Sequence, residues 1–168
     1  MGRMDVLVRE AREAELTEIG EVTAEVFATE SRVGPDYLET LRDARARWTA
    51  PETALLVAVD DGTDGLLGTV VYARPGSPLQ DLATGPEAEF RMLAVLPAAR
   101  GRGVGETLVQ ACIAKAKQDG LPRIVLSTGP EMLAAHRLYE RMGFRRATER
   151  DWSPRPGIEL RAYVMDFQ

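Results

Sequence analysis

The sequence predicts an α/β chain, one mixed α+β sheet of about seven strands with helices on both faces. Three observations carry this. A length of 168 residues suits a single domain, 1–168, around one core and leaves no room for a second of ordinary size. Hydrophobic residues at 45% and charged residues at 28% are globular proportions, and the longest apolar run, Ala54 to Val59, is far short of the ~20 residues that cross a bilayer. Strand-like and helix-like periodicities alternate along the chain and include a strand–helix–strand unit, whose strands are normally parallel.

The elements follow in order. Val6-Leu7-Val8-Arg9 is short and β-branched, and Leu16, Ile19, Val22, Val26 and Phe27 then recur at helical spacing. Gly34-Pro35 interrupts, and Tyr37, Leu38, Leu41 and Trp48 predict a second helix before Pro51. Ala54–Val59 reads as a strand buried on both faces, Asp60–Asp64 as a turn and Gly68–Tyr72 as the hairpin partner, giving two central antiparallel strands. From Arg74 to Glu87 the chain carries Pro75, Gly76, Pro78, Gly85 and Pro86, a long loop of the kind that borders a site. Phe90–Leu96 is the next strand, Gly103–Asp119 a helix with Val104, Leu108, Ala111 and Cys112 along one side, and Ile124–Leu126 the strand after it. Leu133–Met142 is a helix ended by Gly143, and Phe144–Arg150 and Leu160–Phe167 are expected strands around the turn Ser153–Gly157.

Charge and cysteine usage exclude several functions. A net charge of −5 argues against extended contact with nucleic acid or an anionic membrane surface, although a local basic pocket is allowed. Cys112 has no partner for an internal disulfide, and with His136 as the one histidine no metal site is expected. The N-terminus reaches Val6 without an apolar leader segment, so a cytoplasmic location is expected.

The chemistry concentrates in Leu93-Ala94-Val95-Leu96-Pro97-Ala98-Ala99-Arg100-Gly101-Arg102-Gly103-Val104-Gly105-Glu106. A strand stops at a proline and alternating glycines then open a helix, so backbone N–H groups and the positive helix end converge where a phosphate could sit. Glycine lets the backbone approach an anion without a Cβ, and Arg100 and Arg102 add positive charge; the same glycines could equally serve only to shape a tight turn. A Walker A loop needs a Gly-Lys-Ser/Thr that is absent, and a dinucleotide fingerprint needs glycine where Glu106 stands.

The pattern Arg/Gln-x-x-Gly-x-Gly/Ala, filled by Arg100, Gly103 and Gly105 after a strand ending Val95-Leu96-Pro97, resembles the acetyl-coenzyme A loop of the GCN5-related N-acetyltransferase (GNAT) superfamily. Ala134-Ala135-His136-Arg137-Leu138-Tyr139-Glu140-Arg141-Met142-Gly143-Phe144 is similar to that superfamily's Ala-x-x-Leu-Tyr-x-x-x-Gly-Phe segment. Many members have asparagine where this chain has Met132. The resemblance implies a GNAT-like acyl-CoA N-acyltransferase fold and an acetyl-CoA co-substrate held by Leu93, Ala94, Val95, Arg100, Gly101, Arg102, Gly103, Val104, Gly105, Glu106 and Tyr139. It further implies that the Leu93 strand splays from its neighbour, that Tyr139 protonates the leaving thiolate and that Glu89 stands where some members carry a general base.

Each residue also has a purely structural reading. Tyr139 could be a packed helical tyrosine, Glu89 an exposed strand-edge carboxylate, and the Leu93 and Val95 side chains plain core. His136 is expected to be solvated on its helix and Cys112 buried and inert. Asp81, Glu87, Glu30 and Asp36 are candidates to hold a cationic amine, with solvated loop carboxylates as the default. Trp152 and Arg155 fit a substrate cleft or a homodimer interface equally. The expected function is transfer of acetyl from acetyl-CoA to a primary amine, small-molecule or peptide, by direct attack on the thioester. A non-catalytic acyl-CoA sensor and a protein lysine or N-terminal acetyltransferase are the alternatives.

Overall fold

The computed structural model describes residues 5–168; Met1–Met4, on which part of the expected lack of a leader rests, lie outside the described residues. Among the described residues the sheet has eight strands, in the order β1-β2-β3-β4-β5-β8-β6, with β7 paired to β8 beside them. β1 (Val6–Glu10), β2 (Thr53–Asp60), β3 (Leu66–Ala73) and β4 (Glu87–Val95) are antiparallel neighbours. β4 then runs parallel to β5 (Arg123–Thr128), the two being joined through α4 (Val104–Gln118). β8 (Ile158–Asp166) lies between β5 and the short β6 (Arg145–Arg146), and β7 (Trp152–Arg155) folds back on its first residues.

Alternation along β2 explains the two layers. Leu55, Val57 and Val59 face one side, where α1 (Leu16–Glu30) buries Leu16, Ile19, Val22 and Val26. Ala54, Leu56 and Ala58 face the other, toward Val104, Leu108 and Cys112 of α4 and toward Tyr139 on α5 (Leu133–Arg141). Gly68 on β3 makes the close seat of α4 feasible, because a Cβ there would stand 2.8 Å from the Ala94 carbonyl oxygen and 3.0 Å from Val104 Cγ1.

Four expectations change. The helix expected from Tyr37 to Trp48 is two, α2 (Pro35–Arg42) and α3 (Ala44–Thr49), because Asp43 leaves helical geometry (ψ 71°) and its carboxylate accepts the Ala46 amide at 3.1 Å. The strand expected over Phe144–Arg150 shrinks to β6 followed by a 3-10 turn, and the chain expected to turn over Ser153–Gly157 is already strand at Trp152–Arg155, turning at Pro156-Gly157. β4 begins at Glu87 rather than Phe90. Its first turn of chain is tied down by Glu87, 4% exposed, which accepts from Arg150, Arg123 and the Thr84 amide. Burial alone would raise the Glu87 carboxyl, but those donors hold it at about 2.

Gly20 sits where α1 meets the end of α2, and a Cβ there would overlap the Arg42 carbonyl group, 2.8 Å from its carbon. In an exposed helix, Gly→Ala stabilises by roughly 1 kcal/mol. Here Gly20→Ala is expected to destabilise by about 1–3 kcal/mol through overpacking, read as a lower urea midpoint. A raised midpoint would show that α1 and α2 do not approach this closely.

Candidate active site

The site begins with a break in the sheet. β4 and β5 pair only at Glu87↔Arg123, Ala88↔Ile124 and Glu89↔Val125, although both strands continue beyond. On its other side β4 carries a bulge against β3, where the register shifts between Thr69 and Val71, and Met92 takes φ 58°. The bulge reverses the alternation of β4. Ala88 and Phe90 face the α4 layer, yet Met92 and Ala94 are buried in the α1 layer, which turns Leu93 and Val95 toward α4.

Between the parted strands lies a cleft of about 810 Å³. One end is walled by Leu93, Val95, Gly101, Gly103, Val104, Gly105 and Tyr139, the other by Phe27, Tyr37, Asp81 and Arg91 from the α1 face and by Trp152 and Arg155 from the β7–β8 hairpin. Leu93 and Val95, expected as plain core, are therefore also cleft wall. Ser127 on β5 accepts from Trp152 Nε1 at 2.9 Å, fixing the hairpin beside the opening.

The glycine turn is built as an anion seat requires. Gly101 and Gly103 have φ of 86° and 75°, the left-handed region that side chains rarely adopt, and Gly103 is the N-cap of α4 with no side chain capping the helix. The first-turn amides are thus left for a ligand. Gly105 has a different purpose, since a Cβ there would lie 3.2 Å from Leu138 Cδ2, a close contact that the Leu138 side chain would have to yield to. Arg100 lines the cleft and is paired with Glu30, whereas Arg102 turns away to Asp60 at 3.1 Å and does not line it. Ala94, 1% exposed in the α1 layer, does not line it either; Glu106 does.

Tyr139 is 4% exposed and packs edge-on against Phe90 and Phe144, with ring centroids 5.7 and 5.9 Å away. Among the described residues its hydroxyl has no hydrogen-bond partner, and burial raises its pKa, so it is a protonated donor on the cleft wall. Met132, at the N-cap of α5, supplies no side-chain cap.

Glu89 stands near the start of β4, the strand expected to carry the coenzyme. It is fully buried, not an exposed edge carboxylate, and it is not part of the cleft wall. Its Oε1 accepts the amides of Asp81, Leu82 and Ala83 at 2.9, 2.9 and 3.0 Å, while Oε2 is buried without a partner. Burial raises its pKa against the pull of those amides. The loop it holds carries Asp81 to the cleft, where Asp81 pairs with Arg91 at 3.0 Å.

His136 is likewise corrected from solvated to buried. Its Nε2 meets the Gly129 carbonyl at 2.9 Å, and burial lowers its pKa, so it is neutral near pH 7. Its side chain shares the inward face of α5 with Tyr139. Cys112 is buried and its thiol is pushed up by burial, as an inert cysteine should be. Glu87 and Asp36 do not line the cleft; Glu30 and Asp81 do, each already paired with an arginine. Sequence reading missed Tyr37 and Glu131, both on the wall, because neither lies in a motif.

The profile of the acetyltransferase (GNAT) family matches residues 8–144. The mycothiol acetyltransferase of Cellulomonas flavigena is 38% identical over 112 residues, 64% of this chain and 32% of that protein. The chain thus spans about a third of that relative's length. A GCN5-related N-acetyltransferase from Kribbella flavida superposes with a TM-score of 0.77 at 26% identity, covering 98% of this chain and 99% of that one. An acetyltransferase from Salmonella typhimurium, solved with its cofactor acetyl-CoA, has the same fold (TM-score 0.69, 18% identity, 98% and 95% covered). Because the family profile spans most of the chain, from residue 8 to residue 144, this chain belongs to the acetyltransferase (GNAT) family.

Proposed function

We propose that the chain transfers acetyl from acetyl-CoA to a primary amine by direct attack of the amine on the thioester. The observation that carries the reading is the freed edge of β4, which runs into a left-handed glycine turn and an uncapped helix at one end of a single cleft. These parts suit the co-substrate. Unpaired backbone groups around Leu93 and Val95 can pair with an amide-bearing arm, and the amides of Gly103, Val104 and Gly105 can take a diphosphate. The Salmonella protein of the same fold, solved with acetyl-CoA as its cofactor, supports the choice of co-substrate.

The chemistry asks the chain for three things. The attacking nitrogen must arrive unprotonated and aligned, the carbonyl oxygen needs donors as it gains charge, and the thiolate must be protonated as it leaves. The β4 backbone supplies orientation and donors. Tyr139 supplies the proton; burial raises the phenol, but a thiolate in the same dry surroundings is raised too, so the transfer is not opposed by the whole shift. Glu89 acts as a positioning residue that fixes the Asp81–Ala83 loop, and the amine loses its proton to water. Tyr139 also favours turnover over a silent acyl-CoA sensor. The net charge of −5 supports a small-molecule or peptide acceptor over nucleic acid or an anionic membrane. Among the described residues no helix is long and apolar enough to cross a membrane.

Acetyl-CoA should raise thermal stability by RT ln(1 + [L]/Kd), ~2.7 kcal/mol at a hundredfold excess. Gly103→Asp, which puts a side chain at φ 75° and a negative charge beside the diphosphate, should abolish that gain; undiminished binding in the folded variant removes the loop assignment. For Tyr139→Phe, kcat should fall 10- to 1,000-fold with coenzyme affinity retained, on the order general acid catalysis contributes. Wild-type turnover would make Tyr139 a packing residue. Glu89→Gln keeps an oxygen for the three loop amides, so the acidic limb of the pH–rate profile should persist and shift when a less basic amine is supplied. A limb that disappears in this variant would restore Glu89 as the base.

A further inference from the structure

Arginines on the cleft wall are not all treated alike. Arg91 donates to Asp81 and to the Tyr37 hydroxyl oxygen at 3.0 and 3.1 Å, Arg100 pairs with Glu30, and Arg141 lies 3.9 Å from Glu106. The guanidinium groups of Arg32 and Arg155 have neither a hydrogen bond nor an ion pair among the described residues, although both line the cleft. They come from two separate elements, and Arg155 reaches the segment that carries Arg32. Arg32 is in the segment after α1 and Arg155 is at the tip of the β7–β8 hairpin, both exposed. The Nη2 of Arg155 stands 3.8 Å from where a Cβ on Gly34 would be.

The nearby carboxylates do not answer these cations. Glu131 Oε2 accepts the Ser31 hydroxyl at 2.8 Å and the Arg32 amide at 3.1 Å, and these bonds hold its carboxyl down against burial, with the Arg32 guanidinium adding only a weaker pull and forming no ion pair with it. Glu159, exposed on β8, is the one cleft carboxylate without a partner among the described residues. Tyr37 adds a third donor. Its oxygen already accepts from Arg91, so its own proton is directed elsewhere. This end of the cleft therefore offers two unanswered guanidinium groups and a phenol to whatever enters, a donor set that repels a polycation and suits a carboxylate or phosphate.

Resting on the acetyl-transfer reading above, we infer that the acceptor is a small amine that also carries an anionic group, and that Arg32, Arg155 and Tyr37 bind that group while the amine is presented toward Tyr139. The test compares matched pairs by thiol release: amino acids and dipeptides against their C-terminal amides, aminoalkyl phosphates against the amino alcohols, and spermidine as the polycation. The anionic member should have a kcat/KM at least 10-fold above its neutral match, chiefly through KM, and the better of the carboxylate and phosphate arms identifies the anion. In the Arg32→Gln/Arg155→Gln double variant the ratio should fall to within about threefold of one. Calorimetric binding of N-acetyl amino acids against their amides, on the same two proteins with coenzyme A present, reads the preference without turnover. A wild type indifferent to the anionic group, a preference for spermidine, or a ratio unchanged in the double variant overturns the inference. No thiol release with any amine, together with a carboxylate preference in calorimetry, would overturn acetyl transfer and leave the anion site standing.

Discussion

The parting of β4 from β5 is the constraint on which the site depends. A parallel pair would ordinarily continue its ladder for the length of both strands, because unpaired backbone groups are costly once buried. Here pairing stops after Glu89 and Val125, and β5 spends its other edge on β8 along its whole length, Arg123 to Thr128. β5 is thus held by one neighbour and is free to leave the other. The bulge at Met92 then turns Leu93 and Val95 from one layer to the other, so the same few residues open the gap and line it.

Holding the gap open is shared among buried polar contacts at its base. Glu87 and Glu89 are adjacent inward carboxylates on one face of β4 with opposite electrostatics. Arginines draw Glu87 down to about 2, and burial lifts Glu89. Both fasten the Leu79–Glu87 chain, Glu87 through the Thr84 amide and Glu89 through three successive amides, and that chain carries Asp81 to the cleft. Removing Glu89 would leave three successive loop amides without their acceptor, and removing Glu87 would release the Thr84 amide and two arginines, so these residues serve the site through geometry.

Much of this was legible in the sequence. The order of strands and helices, the αL glycines before α4 and the inward Tyr139 follow from local pattern and motif, because each depends on residues close in the chain. What was not legible depends on distant partners. His136 reads as solvent-facing beside Glu140, but the Gly129 carbonyl and the Tyr163 ring draw it inward. Arg102 looks like a phosphate ligand beside Arg100 until Asp60, at the end of β2, claims it. Glu89 reads as an edge residue because the Asp81–Ala83 loop that covers it is irregular and carries no periodicity. The Met92 bulge has no signature in its own letters, and so the reversal of the Leu93 and Val95 side chains could not be foreseen.

Amide hydrogen exchange with and without acetyl-CoA tests the central claim most directly, since it reads the backbone of β4 itself. The proposed site for the ligand is the free edge of β4 together with the glycine turn. Added acetyl-CoA should slow exchange across Phe90–Val95 and Gly101–Glu106, while β1 and β2, already paired on the far side of the sheet, stay unchanged. Protection confined to other elements, or absent from the β4 segment at saturating ligand, would contradict it.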